Sequence, residues 1–140
     1  MAKILCATRG GEASYHTQDA AIALAQERGE TLLFLYAVDL RFLDKRAGAA
    51  LVDVESEMTK MGKFLLLMAQ ERAAEQGVPA ETYCGKGELR PVLQEVVEAQ
   101  EISLILLGSP AGEESVFQLA GLRDFAAEIE HEAGVETRVI

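Results

Sequence analysis

Four times over, a short run of apolar residues gives way to a stretch whose apolar residues recur every three or four positions, and this alternation is what most narrows the folds open to the chain. Residues 3–8 (KILCAT) are an apolar run stopped by Arg9-Gly10-Gly11, as a buried strand is at a turn. Residues 14–28 are rich in alanine and other strong helix formers and end at Gly29, a good C-terminal stop, with Ser14 as the expected N-cap. Residues 31–38 (TLLFLYAV) are apolar on both faces, which predicts a strand covered on both sides. A twelve-residue connection, residues 39–50, follows. Val54, Met58, Met61, Leu65 and Met68 then recur at spacings of four, three, four and three, which predicts a long helix to about Gln76 with these side chains on its core stripe.

Beyond Gly77 and Pro79, residues 80–84 alternate as a strand with one wetter face. Leu89, Val92, Leu93, Val96 and Val97 mark an amphipathic helix with Glu88 at its N-terminus. Residues 102–107 (ISLILL) form another fully apolar strand, broken by residues 108–112. Val116, Leu119, Leu122, Phe125 and Ile129 fall at helical spacings up to about Ala133, Gly134 ends that helix, and residues 135–140 (VETRVI) alternate as a last strand.

Strands alternating with helices imply an α/β fold, a five-stranded parallel sheet with four helices on its two faces, because parallel crossovers need a helix between them. Strands one, two and four are apolar throughout and belong in the centre; three and five alternate and belong at the edges, which gives the order 3-2-1-4-5. Such a sheet opens a crevice beyond the C-terminal ends of strands one and four, lined by residues 8–13 and 108–112.

At 140 residues the chain is one domain. Its net charge of −10 repels nucleic-acid phosphates and anionic membrane surfaces, and residues 88–140, with eleven acids against three bases, hold −8 of it. No apolar run approaches the roughly 18 residues of a membrane span. With the opening Met1-Ala2-Lys3 leading straight into a five-residue apolar run, this predicts a cytoplasmic protein. Cys6 and Cys84 read as buried thiols of a reducing compartment.

The first strand ending in A-T-x-G, the long connection after the second, and L-L-G-S after the fourth together resemble the universal stress protein family. The resemblance covers the whole chain in element order. It implies the 3-2-1-4-5 sheet, a homodimer, here through the exposed C-terminal edge strand, and, in one branch of the family, ATP bound with Mg²⁺ through G-x-x-G, nine residues, then glycine and a serine or threonine. Gly108 matches the first glycine, followed by Ser109, and Gly121 matches the third. Ala111 stands in the second place with Gly112 beside it, and Leu122 replaces the hydroxyl residue. The family's A-T-D-G-S is here A-T-R-G-G, with Thr8, Arg9 and Gly10. Ala37 and Val38 align with the segment that contacts the adenine ring.

These departures carry a cost. Loop glycines let backbone N–H groups close on a phosphate, and the hydroxyl adds a donor that Leu122 lacks. Glu113 and Glu114 follow the loop; at an effective dielectric near 20, a carboxylate about 6 Å from a phosphate charge costs roughly 3 kcal/mol before screening. Arg9 has two roles open to it: a bidentate hold on a phosphate or carboxylate, or an ion pair with Glu113 or Glu114 that closes the crevice. Arg41, Lys45 and Arg46 offer further positive charge from the long connection.

Residues 9–14 also resemble the S-G-G-x-D-S pyrophosphate loop of ATP pyrophosphatases, matching at Gly10, Gly11 and Ser14, but with Arg9 and Ala13 in place of the leading serine and the aspartate. His16, His131, Cys6 and Cys84 are scattered, without the spacing that holds a metal, and no nucleophile has a base nearby. The expectation is a small, non-catalytic regulatory protein with an altered ATP motif. The alternatives are an ATP-binding stress protein, an ATP pyrophosphatase remnant, and an interaction module whose crevice is closed.

Overall fold

The sheet is built from β1 (Lys3–Ala7), β2 (Thr31–Val38), β3 (Ala80–Lys86), β4 (Ile102–Leu107) and β5 (Glu136–Val139). Between them run α1 (Glu12–Arg28), α2 (Gly48–Glu75), α3 (Leu89–Ala99) and α4 (Ser115–Ala133). All pairings are parallel and the order is β3-β2-β1-β4-β5, as the strand patterns predict. This computed structural model describes residues 2–8, 12–39, 48–108 and 115–140.

Because successive strand residues point to opposite faces, the three apolar strands feed two cores. On one face Ile4, Cys6, Leu32, Phe34, Leu104 and Leu106 meet Ala21, Ile22 and Ala25 of α1 and Leu66, Ala69 and Ala73 of α2. On the other, Leu5, Leu33, Leu35, Ile105 and Leu107 meet Val92, Leu93 and Val96 of α3 and Ala126 and Ile129 of α4. β3 extends past the predicted Cys84 because Gly85 and Lys86 still pair with Ala37 and Val38. Three helices close with a glycine in the left-handed region: at Gly29 the Glu30 N–H reaches back to the Ala25 carbonyl (3.1 Å), at Gly77 the Val78 N–H reaches Ala73 (3.0 Å), and at Gly134 the glycine's own N–H reaches Glu130 (2.9 Å).

Three boundary or face expectations are corrected. Ser14 is not an N-cap, since α1 already runs from Glu12; glutamate and alanine continue the helix upstream of it, and a carboxylate is favourable at that end. α2 begins at Gly48, inside the stretch expected to be a connection. The five-residue apolar stripe does not face the core: Val54, Met58, Leu65 and Met68 are only half-buried and Met61 is 58% exposed. The face on the sheet is Gly62, Leu66, Ala69 and Ala73, which follow one another at four, three and four residues. Small residues win that position because α2 lies close to the sheet, with the Tyr36 ring against Gly62; a Cβ there would stand 2.6 Å from the Tyr36 Cδ1.

Candidate functional site

Where the chain turns from β1 toward α1 and from β4 toward α4, on either side of the reversal in strand order, the described residues place a polar cluster under the crevice. Thr8 follows β1; its N–H donates to the Leu35 carbonyl (2.8 Å), and its Oγ1 accepts from the Gln18 amide Nε2 (3.1 Å). Gly108 follows β4, and a Cβ on it would lie 2.6 Å from the Thr17 Oγ1. The glycine in L-L-G-S is thus explained by packing: it admits the first turns of α1 against the end of β4. Thr8, Thr17 and Gln18 are the buried polar side chains among the described residues, and they meet at this one place.

Burying hydroxyls and an amide costs free energy unless each finds a partner. Gln18 does so at one end only: among the described residues its buried Oε1 has no hydrogen-bond partner. Exchanging the amide's oxygen and nitrogen does not remove the deficit, because Thr8 then serves the oxygen and leaves the NH₂ unmatched. Thr17 and Gln18 were not singled out from sequence, although a signal existed. Gln18 is in step with Ala21, Ile22 and Ala25 on the helix stripe that faces the core, so a polar residue at that position is anomalous.

Of the other site residues expected from sequence, Val38 is buried at the end of β2 with its carbonyl accepting from the Gly87 N–H (2.9 Å), and Ala37 packs on the second core. Gly121 and Leu122 are not at a helix N-terminus. They lie in the second turn of α4, with Gly121 exposed and Leu122 packed on the second core, since α4 already starts at Ser115. Arg9, Gly10, Ser109, Ala111 and Gly112 lie outside the described residues, as do Gly11, Glu113, Glu114, Arg41, Lys45 and Arg46. The structure therefore brings together Thr8, Gly108 and the ends of β1, β2 and β4, and moves Leu122 onto the core.

His16 and His131 are exposed, and among the described residues no three histidine, cysteine, aspartate or glutamate side chains gather as metal ligands would. Among the described residues no helix is both long and apolar enough to cross a membrane. A separate cavity of about 420 Å³ lies between α1 and α2, toward the amino ends of the strands, lined by Asp19, Ile22, Gln26, Arg72 and Glu75 among others; the Asp19–Arg72 ion pair crosses it.

Both cysteines are free, Cys6 fully buried and Cys84, against expectation, only half-buried on the edge strand β3. Burial pushes the Cys6 thiol up from 9.0 to about 12, which leaves it inert as a nucleophile at neutral pH. Burial also raises Cys84, against the lowering pull of Lys63 and Lys86. For Cys6 the folded value exceeds the unfolded one, so its contribution to stability is complete below pH 9.0 and is lost as pH rises toward 12. Urea unfolding should lose about 1.4 kcal/mol per pH unit from this group across that window; Cys6→Ala should unfold with a correspondingly shallower pH dependence, and identical slopes would refute the assignment.

The sequence model of the Universal stress protein family matches residues 1–126. The chain is 30% identical, over 115 aligned residues covering 76% of it and 78% of the relative, to the universal stress protein YxiE of Bacillus subtilis. Among solved structures it is similar to the universal stress protein UspA of Lactobacillus plantarum, with a TM-score of 0.80, 19% identity and coverage of 99% of this chain and 97% of that one. A universal stress family protein of Arabidopsis thaliana with AMP bound matches with a TM-score of 0.67 at 14% identity, covering 100% and 91% of the two chains. A universal stress protein in complex with cAMP gives a TM-score of 0.70 at 20% identity, covering 99% and 96%.

Proposed function

The chain belongs to the universal stress protein family, and on that footing we propose that it is a small, non-catalytic regulatory protein of the cytoplasm whose crevice beyond β1 and β4 takes an adenine nucleotide, AMP in preference to ATP. The observation that carries the reading is the convergence of Thr8, Thr17 and Gln18 at the topological switch point, with one end of the Gln18 amide unmatched. An unmatched buried amide end at the switch point is what a polar ligand, or a water held by one, would satisfy.

The preference for few phosphates rests on charge and donors. Ala111 interrupts the glycine pattern, and Leu122 is committed to the second core and offers no hydroxyl. Glu113 and Glu114, which follow the loop in sequence, add negative charge that disfavours a long phosphate chain. A monophosphate meets less of this repulsion and does not need Mg²⁺ to screen it. Relatives solved with AMP and cAMP bound are consistent with that preference. A second copy paired along the outer edge of β5 completes the proposed regulatory unit.

Thermal unfolding with about 1 mM AMP, ADP or ATP, with and without Mg²⁺, tests the reading. A dissociation constant near 10 μM adds roughly 2.7 kcal/mol at that concentration, which for a chain of this size raises the Tm by roughly 6–12 °C. AMP is expected to give the larger shift and ATP to improve with Mg²⁺. No shift with any of the three would overturn the nucleotide reading and leave an interaction module with a closed crevice.

A further inference from the structure

α2 carries a second apolar face, turned away from the sheet. Met61, Phe64 and Leu67 are 58%, 61% and 50% exposed, and they are the large apolar side chains of the described residues that stand in solvent to this degree. Scattered single exposures are ordinary, whereas three on neighbouring turns of one helix form a patch, the mark of an interaction surface. Phe64 and Leu67 lie on a line with Lys60 and Glu71: the four follow at steps of four, three and four residues, the spacing by which one helix seats against another. The line lies opposite Gly62, Leu66, Ala69 and Ala73, which hold α2 on the sheet.

The order of charges on this line identifies its occupant. Lys60 stands one turn before the apolar pair and Glu71 one turn after it, both exposed. If a second α2 is laid antiparallel across a two-fold axis midway between Phe64 and Leu67, Phe64 falls opposite Leu67 and Lys60 opposite Glu71, on both flanks at once. Laid parallel, Lys60 would face Lys60 and Glu71 would face Glu71. The stripe is therefore self-complementary in one orientation and self-repelling in the other, a device that selects a two-fold partner of identical sequence. We propose that the outer face of α2 is a self-association surface, paired antiparallel with the same face of a second copy through Phe64, Leu67 and the Lys60–Glu71 exchange. This surface is distinct from the β5 edge and from the crevice, so a chain using both the α2 and β5 surfaces assembles beyond a dimer.

The test is sedimentation velocity over a concentration series at low salt, where exposed charge pairs are least screened. Wild type should associate, and Phe64→Glu should weaken that association by at least about tenfold, since it sets a charge at the centre of the contact. Lys60→Glu and Glu71→Lys should each weaken it, each acting twice because of the two-fold axis, and the double variant Lys60→Glu/Glu71→Lys should restore it. Lys60, Phe64 and Glu71 are all exposed, so the variants should unfold in urea with midpoints close to wild type. A wild type that stays monomeric, or an association indifferent to Phe64→Glu and therefore belonging to β5, overturns the proposal. So does failure of the double variant to recover when both single variants are impaired.

Discussion

Phe34→Ala should lower the unfolding free energy by about 3–5 kcal/mol, the range for deleting a fully buried phenylalanine side chain. Phe34 is wholly buried and stands among the largest of the enclosed side chains. It sits on β2, register-paired with Cys6 of β1 on one side and Thr82 of β3 on the other, and its ring enters the core shared by α1 and α2. The lost transfer free energy is only part of the cost. Strands on both sides fix the backbone, so the site cannot collapse around alanine and a cavity remains. Against a total stability on the order of 5–15 kcal/mol, the loss removes a large share of the margin. The check is the urea midpoint at unchanged m value. Phe34→Leu, which keeps most of the volume, should lose less than about 1.5 kcal/mol; equal losses for the two variants would show that the ring is not filling the core as described.

Gly62→Val should lose about 2 kcal/mol, although glycine is among the poorest residues inside a helix and replacing it would ordinarily help. The reason is the Tyr36 ring, whose Cδ1 and Cε1 would stand 2.6 and 2.8 Å from the new Cβ. Valine adds two methyl groups to that conflict. Either the ring leaves its place on the first core or α2 lifts from the sheet, and both expose apolar surface. A double-mutant cycle separates the two influences. In a Tyr36→Ala background the same substitution should cost much less, so the coupling between the two positions should be clearly non-additive. An additive cycle would place the cost elsewhere.

The sheet order was legible because the three fully apolar segments differ visibly from the two alternating ones, and burial on both faces is what that difference records. The glycine stops were legible too, since a positive φ at Gly29, Gly77 and Gly134 has few other solutions. The inner face of α2 was not. Hydrophobic periodicity weights large residues, and on α2 Met61, Phe64 and Leu67 lie outside while Gly62, Ala69 and Ala73 lie inside. A helix pressed close to a sheet selects for small volume, which a hydropathy pattern does not register. The candidate site was half legible. Its location follows from topology alone, whereas Gln18 and Thr17 belong to no motif, and the glycine pattern at Gly108 does not register that this residue also faces the Thr17 hydroxyl.

The register of β1 has a consequence for how the molecule is made. Lys3 pairs with Thr31 on one side and with Ile102 on the other, so the strand at the centre of the sheet is synthesised first and completed among the last. At ribosomal rates of about 5–20 residues per second, the interval between the two partners is roughly 4–14 s. Throughout it, a nascent chain that already holds β1 and β2 carries an open hydrogen-bonding edge along its central strand, the edge that β4 will later occupy. The heart of this fold closes only after one whole flank of the sheet has been made, and the newborn chain needs protection at its centre as well as at its rim.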